Sequence, residues 1–129
     1  SLTGTNMSQN INVDVDTLYI ESESSPANSQ YVFAYTITIT NDGTEAAKLM
    51  TRHWVITDAN GHVEEVHGDG VVGEQPYLKP GEGFQYTSGA VLKTPVGTMS
   101  GSYQMVTDNG SNFDAEIPEF ILSSPRTLH

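Results

Sequence analysis

Hydrophobic and polar residues alternate along most of this chain with the period of two that is typical of β-strands. The clearest case is the segment 31–39, YVFAYTITI, in which aromatic and isoleucine side chains occupy the odd positions. The same alternation occurs in residues 11–15, 84–88, 99–105 and 113–117. No segment of useful length carries the i, i+3, i+4, i+7 apolar stripe of an amphipathic helix. The pattern therefore predicts an all-β protein.

Turn signals that contain glycine or proline separate these predicted strands. They are Asn41-Asp42-Gly43, Asp58-Ala59-Asn60-Gly61, Lys79-Pro80-Gly81, Pro95-Val96-Gly97 and Asp108-Asn109-Gly110. Short strands with such turns predict an antiparallel sandwich or barrel. The 129 residues suffice for one domain with its own core, and no linker or internal repeat divides them.

The charge of the chain restricts its possible partners. The chain has sixteen acidic and five basic residues, which gives a net charge of -11. A basic surface for nucleic acid is therefore not expected. The charge favours attraction to cations or to a basic protein surface, or it only keeps the protein soluble.

Composition also bears on location and processing. The chain has no cysteine, which excludes disulfides and thiolate sites, and it has no apolar run long enough to span a membrane. We interpret residues 1–6 as a leader added before the natural start at Met7, and residues 7–129 as a single domain. Since SLTGTN does not resemble a signal peptide, we expect a cytoplasmic protein without membrane association.

One predicted strand, residues 49–56, places a charge among large apolar groups. Arg52 shares its phase with Met50, Trp54 and Ile56. Either a bulge redirects Arg52, or its guanidinium pairs with a carboxylate while its stem packs on Trp54. Glu74 is the first candidate for that carboxylate, and such a pair would fasten the segment 68–76 to the strand.

The segment 67–76 contains the spacing Gly68-x-Gly70-x-x-Gly73, which occurs in phosphate-binding loops. A dinucleotide-binding loop needs a following helix and an acidic residue about 20 positions later. Neither is present here, and Asp69 and Glu74 place negative charge where a phosphate would lie. We therefore expect nucleotide binding to be weak or absent, although an anion-binding nest of backbone N–H groups stays open.

A second candidate for ligand chemistry is His62-Val-Glu-Glu-Val-His67. Its histidines are five residues apart, so they do not form the i, i+4 pair of a helical zinc site. On a strand, Glu65 and His67 share one face, and they could hold a cation together with a distant group. The alternative is a solvated edge strand. We predict no cofactor.

Seven motifs in one register resemble the ApaG family, from about residue 10 to the C-terminus. They are Arg52–Asp58, Gly68–Pro76, Leu78–Glu82, Phe84–Gly89, Leu92–Pro95, Gly97–Tyr103 and Ile117–Phe120. The resemblance implies an antiparallel fibronectin type III-like, that is immunoglobulin-like, β-sandwich of about seven to eight strands. It also implies an association with cobalt resistance and magnesium efflux, and protein binding by related domains. It supplies no catalytic residues.

Together these observations predict a binding module that is not an enzyme, with an unknown protein as its partner. The alternative is a small-ligand module that binds phosphate, pyrophosphate or divalent cations through the Gly68–Gly73 loop and nearby acidic and histidine residues. We expect a monomer or a homodimer. The candidate partner or ligand surface comprises Arg52, His53, Trp54, Gly68, Gly70, Gly73, Glu74, Gln75 and Pro76.

Overall fold

The structure, a computed structural model, describes residues 9–125, and their backbone forms eight β-strands and two three-residue 3₁₀ turns. The strands are β1 (Ile11–Tyr19), β2 (Tyr31–Asn41), β3 (Ala47–Asp58), β4 (Val63–Asp69), β5 (Tyr77–Leu78), β6 (Gly83–Leu92), β7 (Val96–Thr107) and β8 (Asn112–Ser123). The 3₁₀ turns are Glu21–Glu23 and Pro26–Asn28. Within these residues, no helix is long and apolar enough to cross a membrane. The predicted leader and Met7 lie outside the described residues.

The strands form two antiparallel sheets that pack face to face. One sheet has the order β1-β2-β6, and the other has the order β4-β3-β7-β8, with the short β5 pairing to β3. The prediction of an all-β, fibronectin type III-like sandwich is confirmed. The edge strands β1 and β8 contact each other and close one side of the sandwich. On the opposite side, the edge strands are β4 and β6.

Side chains from both sheets form one hydrophobic core, as the alternating pattern predicts. Phe33, Ile37 and Ile39 of β2 are fully buried, and Tyr103 and Met105 of β7 lie on the facing sheet. Burying each such side chain contributes about 1.5–3 kcal/mol. The large apolar residues of the predicted inward faces therefore form the main contact between the two sheets.

A β-bulge at Met50 changes which residues of β3 face the core. The pairing of β3 with β7 passes from Leu49↔Met105 to Thr51↔Gln104 and leaves Met50 as an extra residue. Before the bulge an odd-numbered residue, Leu49, is buried, whereas after it an even-numbered residue, Trp54, is buried. One extra residue exchanges the two faces of a strand. A bulge is thus present, but it precedes Arg52, which keeps the phase of Trp54, so the bulge does not redirect Arg52 away from it.

Candidate functional site

The glycine-rich segment is the connection between β4 and β5, and it passes the bulge of β3. Val71 and Glu74 exchange backbone hydrogen bonds of 2.8 and 2.9 Å. Between them, Val72 and Gly73 have φ values of 43° and 81°. Two positive φ values at the centre are the signature of a type I′ turn. The segment is therefore a tight hairpin turn.

Each glycine of the motif has a structural role of its own. A Cβ at Gly68 would lie 2.6 Å from Cζ of Arg52, so the guanidinium packs directly against this backbone. Gly70 has a φ of +61°, and a Cβ there would meet the carbonyl oxygen of Glu74. Gly73 supplies the second positive φ of the turn. Packing and turn geometry thus account for the spacing without a bound phosphate.

Three of the six N–H groups of residues 70–75 already donate hydrogen bonds within the protein. Gly70 N donates to Met50 O at 2.8 Å, and the N–H groups of Val71 and Glu74 donate across the turn. An anion-binding nest needs successive N–H groups that point to one place. The N–H groups of Val72, Gly73 and Gln75 have no acceptor among the described residues, and the neighbouring carboxylates are unfavourable for an anion.

Arg52 fastens this loop to β3, but through acceptors other than the predicted one. Its Nη1 donates to the carbonyl oxygens of Asp69 at 2.9 Å and Gly70 at 2.8 Å. The expected pair with the Glu74 carboxylate is therefore wrong, and within residues 9–125 the recorded ion pair is His53–Glu65. Strand β4 returns beside β3 in a register that places its last carbonyls over Arg52. The expectation that Arg52 holds the loop does agree with these contacts.

Gln75 and Pro76 complete the attachment of the loop. Gln75 Nε2 donates to the carbonyl oxygen of Met50 at 3.0 Å, and Leu49 N donates to the carbonyl oxygen of Pro76 at 2.9 Å. These bonds occupy backbone groups of β3 beside the bulge, where β4 and β5 do not pair with it. The side chains of the loop therefore stabilise an irregular strand.

The three consecutive residues Arg52, His53 and Trp54 do not form one surface. Arg52 and Trp54 lie on the inner side of β3, whereas His53 lies on the outer side, as alternation along a strand requires. Trp54 is only 3% exposed and packs edge-on against Tyr35 and Phe120, with ring centroids 5.4 and 5.9 Å apart. Trp54 is therefore mainly a core residue, and His53 belongs to a different site.

A groove runs between the edge strands β4 and β6, on the open side of the sandwich. Three adjoining cavities of about 330, 400 and 150 Å³ form it. Tyr35 and Trp54 lie in its floor, and Val63 and Val91, which are 53% and 60% exposed, line it from opposite edges. Neither valine is among the binding residues that the sequence predicts. The unbroken apolar run Ala90-Val91-Leu92 is the signal that could have indicated one of them.

A polar cluster lies on the outer face of the β3–β4 hairpin. His53 is directly opposite His67, and their rings stack with centroids 4.2 Å apart and an interplanar angle of 6°. His53 Nε2 lies 2.8 Å from Oε1 of Glu65. The side chains of these two residues are 28% and 58% exposed. The structure therefore brings His53 to the predicted cation candidates Glu65 and His67, as the distant group that the sequence could not name.

Comparisons with known proteins agree with the motifs. The model of the family described as "ApaG domain" matches residues 21–107. The chain belongs to the ApaG family. Protein ApaG of Thiobacillus denitrificans is 64% identical over 119 residues, which cover 92% of this chain and 94% of that protein. Protein ApaG of an Azoarcus species is 62% identical over the same shares of the two chains.

Solved structures show the same fold. The protein described as ApaA from Bordetella pertussis has a TM-score of 0.88 with 52% identity, over 92% of this chain and 96% of that one. A protein from Archaeoglobus fulgidus has a TM-score of 0.54 with 9% identity, which shows a shared fold alone. The segment that matches the ApaG domain spans β2–β7 and so includes both edges of the groove, the loop and the His53 cluster.

Proposed function

We propose that this ApaG-family protein acts by binding and not by catalysis, and that its partner is a protein. The partner contributes an extended segment rich in lysine or arginine, which lies in the groove and pairs with the free edge of β4. The observation that carries this proposal is the groove itself, because exposed apolar side chains rim it on two strands that lack a neighbour there. Such exposed apolar surface is typical of interaction sites.

The backbone of β4 supports recognition by strand addition. This strand pairs with β3 on one side, and on its other side the sheet ends. An added peptide strand gains main-chain hydrogen bonds there, and its alternate side chains point into the groove. The seven residues of β4 span about 23 Å, which corresponds to an extended segment of similar length. Trp54 and Tyr35 provide the apolar floor for those side chains.

The negative charge of β4 supports the proposal that the partner's segment is basic. Strand β4 carries Glu64, Glu65 and Asp69 and no lysine or arginine. Opposite charges on neighbouring strands stabilise their pairing. The lining of the groove also contains Arg52 and Lys93, so its floor is close to balanced, and the attraction arises from the edge strand and from the net charge of -11.

The geometry favours this function over the small-ligand alternative at the glycine loop. The loop directs the carbonyl groups of Asp69 and Gly70 at Arg52, and three of the six N–H groups of residues 70–75 donate within the protein, so phosphate or pyrophosphate has few donors to bind. We retain the expectations of weak or absent nucleotide binding, no nucleic-acid partner, no cofactor, a cytoplasmic location and a monomer or homodimer.

A pair of matched variants tests the groove. Val91→Lys places a charge at the rim of the groove, whereas Ile121→Lys places the same charge at a residue of β8 that is similarly exposed, at 63%. The probe is a synthetic peptide of alternating lysine and valine, titrated into ¹⁵N-labelled protein. We expect amide shifts in β4 and β6, which Val91→Lys abolishes and Ile121→Lys retains. A peptide with glutamate in place of lysine should not bind.

The same variants identify a natural partner. A protein captured from the cytoplasm by the wild type and by Ile121→Lys, but lost with Val91→Lys, is the partner that the groove selects. The proposal is overturned if the lysine peptide shifts amides elsewhere, or if a stoichiometric partner binds Val91→Lys as tightly as the wild type.

A further inference from the structure

The outer face of the β3–β4 hairpin presents a donor set that the groove does not use. His53 and His67 face each other across the two strands, and Glu65 precedes His67 by two residues on the same face of β4. One nitrogen from each ring and one carboxylate oxygen lie within 4.8 Å of one another. Three donor atoms of two chemical types thus converge without help from any other element.

The distances between the three donor atoms are close to those between the ligands of a coordinated ion. Bonds of about 2.1 Å in a tetrahedral site place neighbouring donor atoms about 3.4 Å apart. The distance between His53 Nε2 and Glu65 Oε1 is already 2.8 Å. Because Glu65 and His67 are exposed, their side chains can move by the remaining distance of up to about 1.4 Å without disturbing the core. The backbone register, which is fixed by the ladder between β3 and β4, keeps the donors together.

The donor chemistry selects the class of metal. Two imidazoles and one carboxylate suit borderline divalent ions, and the same set occurs in catalytic zinc sites. Mg²⁺ prefers oxygen donors alone and keeps several waters, so it should not compete here. Asp69 lies two residues beyond His67 on the same face of β4 and adds negative charge nearby. Beside the cluster, a depression lined by Thr51, Arg52, His67, Gly68 and Asp69 leaves room for a water ligand, and the charge of Asp69 opposes that of Arg52 there.

We propose that His53, Glu65 and His67 form a binding site for a borderline divalent transition-metal ion, with Zn²⁺, Ni²⁺ and Co²⁺ as the ions of matching chemistry. The site is independent of the proposed groove, because it lies on the opposite face of the hairpin. The competing explanation is a surface hydrogen bond with a stacked histidine pair, which would contribute little to stability.

Calorimetric titration of the full chain with ZnCl₂, NiCl₂ and MgCl₂ tests the site. We expect one Zn²⁺ or Ni²⁺ per chain and no heat of binding for Mg²⁺. Removing a ligand should weaken binding at least about tenfold in each of His53→Ala, His67→Ala and Glu65→Gln. The matched control is His62→Ala, which removes an exposed histidine next to β4 that is outside the cluster.

Two further measurements make the result specific. Co²⁺ bound to the cluster should give a visible absorption band of a low-coordinate nitrogen and oxygen site, which the three ligand variants lose and His62→Ala keeps. Circular dichroism should show that all four variants are folded. The proposal is overturned if Zn²⁺ does not bind at millimolar concentration, if the ligand variants bind it as tightly as the wild type, or if His62→Ala weakens it equally.

Discussion

Replacing Arg52 with alanine tests the contact that joins the glycine loop to the central strand. The side chain donates two hydrogen bonds from Nη1, to the carbonyl oxygens of Asp69 and Gly70. Its guanidinium also covers the backbone of Gly68. The substitution removes these contacts together and leaves the two carbonyl groups without their charged donor.

The loss of stability in Arg52→Ala can be worked out from these contacts. A hydrogen bond to a charged group contributes about 1.5–3 kcal/mol when it is shielded from water, and about 1 kcal/mol or less when exposed. The bond to Gly70 is partly buried and the bond to Asp69 is exposed. We therefore expect Arg52→Ala to lower the free energy of unfolding by about 2.5 kcal/mol. With a urea m-value of about 1.8 kcal/mol per molar, the midpoint falls by about 1.4 M.

Urea denaturation followed by tryptophan fluorescence measures this change. Trp54 is the only tryptophan and is 3% exposed within the aromatic cluster, so its emission reports on the core. The matched control is Glu74→Ala. Because the Glu74 side chain has no recorded partner among the described residues, its loss should change stability by less than about 0.5 kcal/mol.

A double-mutant cycle with Gly68→Ala locates the effect. The new Cβ would lie 2.6 Å from Cζ of Arg52, so the substitution must displace the guanidinium. In the Arg52→Ala background that conflict is absent, and Gly68→Ala should cost at least about 0.5 kcal/mol less. The reasoning is refuted if Arg52→Ala unfolds at the wild-type urea concentration, or if Glu74→Ala destabilises as strongly as Arg52→Ala.

Three other predictions concern the loop and the core. Gly70→Val should destabilise by at least about 2 kcal/mol, because φ is +61° and the Cβ would meet the carbonyl of Glu74. Calorimetry with ATP should show weak or absent binding to the wild type, and a low-micromolar dissociation constant would contradict this prediction. Tyr86 and Tyr103 share a buried hydrogen bond of 2.5 Å, and burial raises the pKa of Tyr86 to about 12 and that of Tyr103 further. Both pKa values in the folded state lie above the usual 10.0, so the folded protein favours the neutral tyrosines. Their contribution to the free energy of unfolding is complete below about pH 10, and it is lost as the pH rises through about 12. Tyrosinate absorbance of the two residues should therefore appear together with loss of β-sheet circular dichroism, and a normal titration of both in a folded protein would contradict this.

The local pattern of the sequence predicts the strands and their inward faces. In β2, the odd residues of the segment 31–39 are buried from Phe33 onward, as the alternation indicates. Period-two alternation is a property of neighbouring residues, because successive side chains of a strand point to opposite faces. The alternation also predicts that Glu64 lies on one face of β4 and that Glu65 and His67 lie on the other. The structure places Glu64 at the groove and the other two in the outer cluster.

The acceptor of Arg52 could not be predicted in this way. The sequence shows that a guanidinium in the phase of Trp54 needs a partner, and a carboxylate is the obvious candidate. The partners are instead two backbone carbonyl groups. Because every residue has such a group, the identity of the residues does not indicate which ones accept. Only the register of β4 against β3 selects Asp69 and Gly70.

By itself, the sequence determined that this protein is a β-sandwich of the ApaG family, which long strands it has, though not the short β5, and which residues carry candidate chemistry. The tertiary structure decided which of those residues meet. The bulge at Met50 sets the inward face of Trp54, and the β3–β4 ladder brings His53 to Glu65 and His67. The closure of the sandwich along β1 and β8 leaves the groove on the opposite side. These outcomes depend on pairings between residues distant in the chain, where a shift of one residue would move every side chain to the other face.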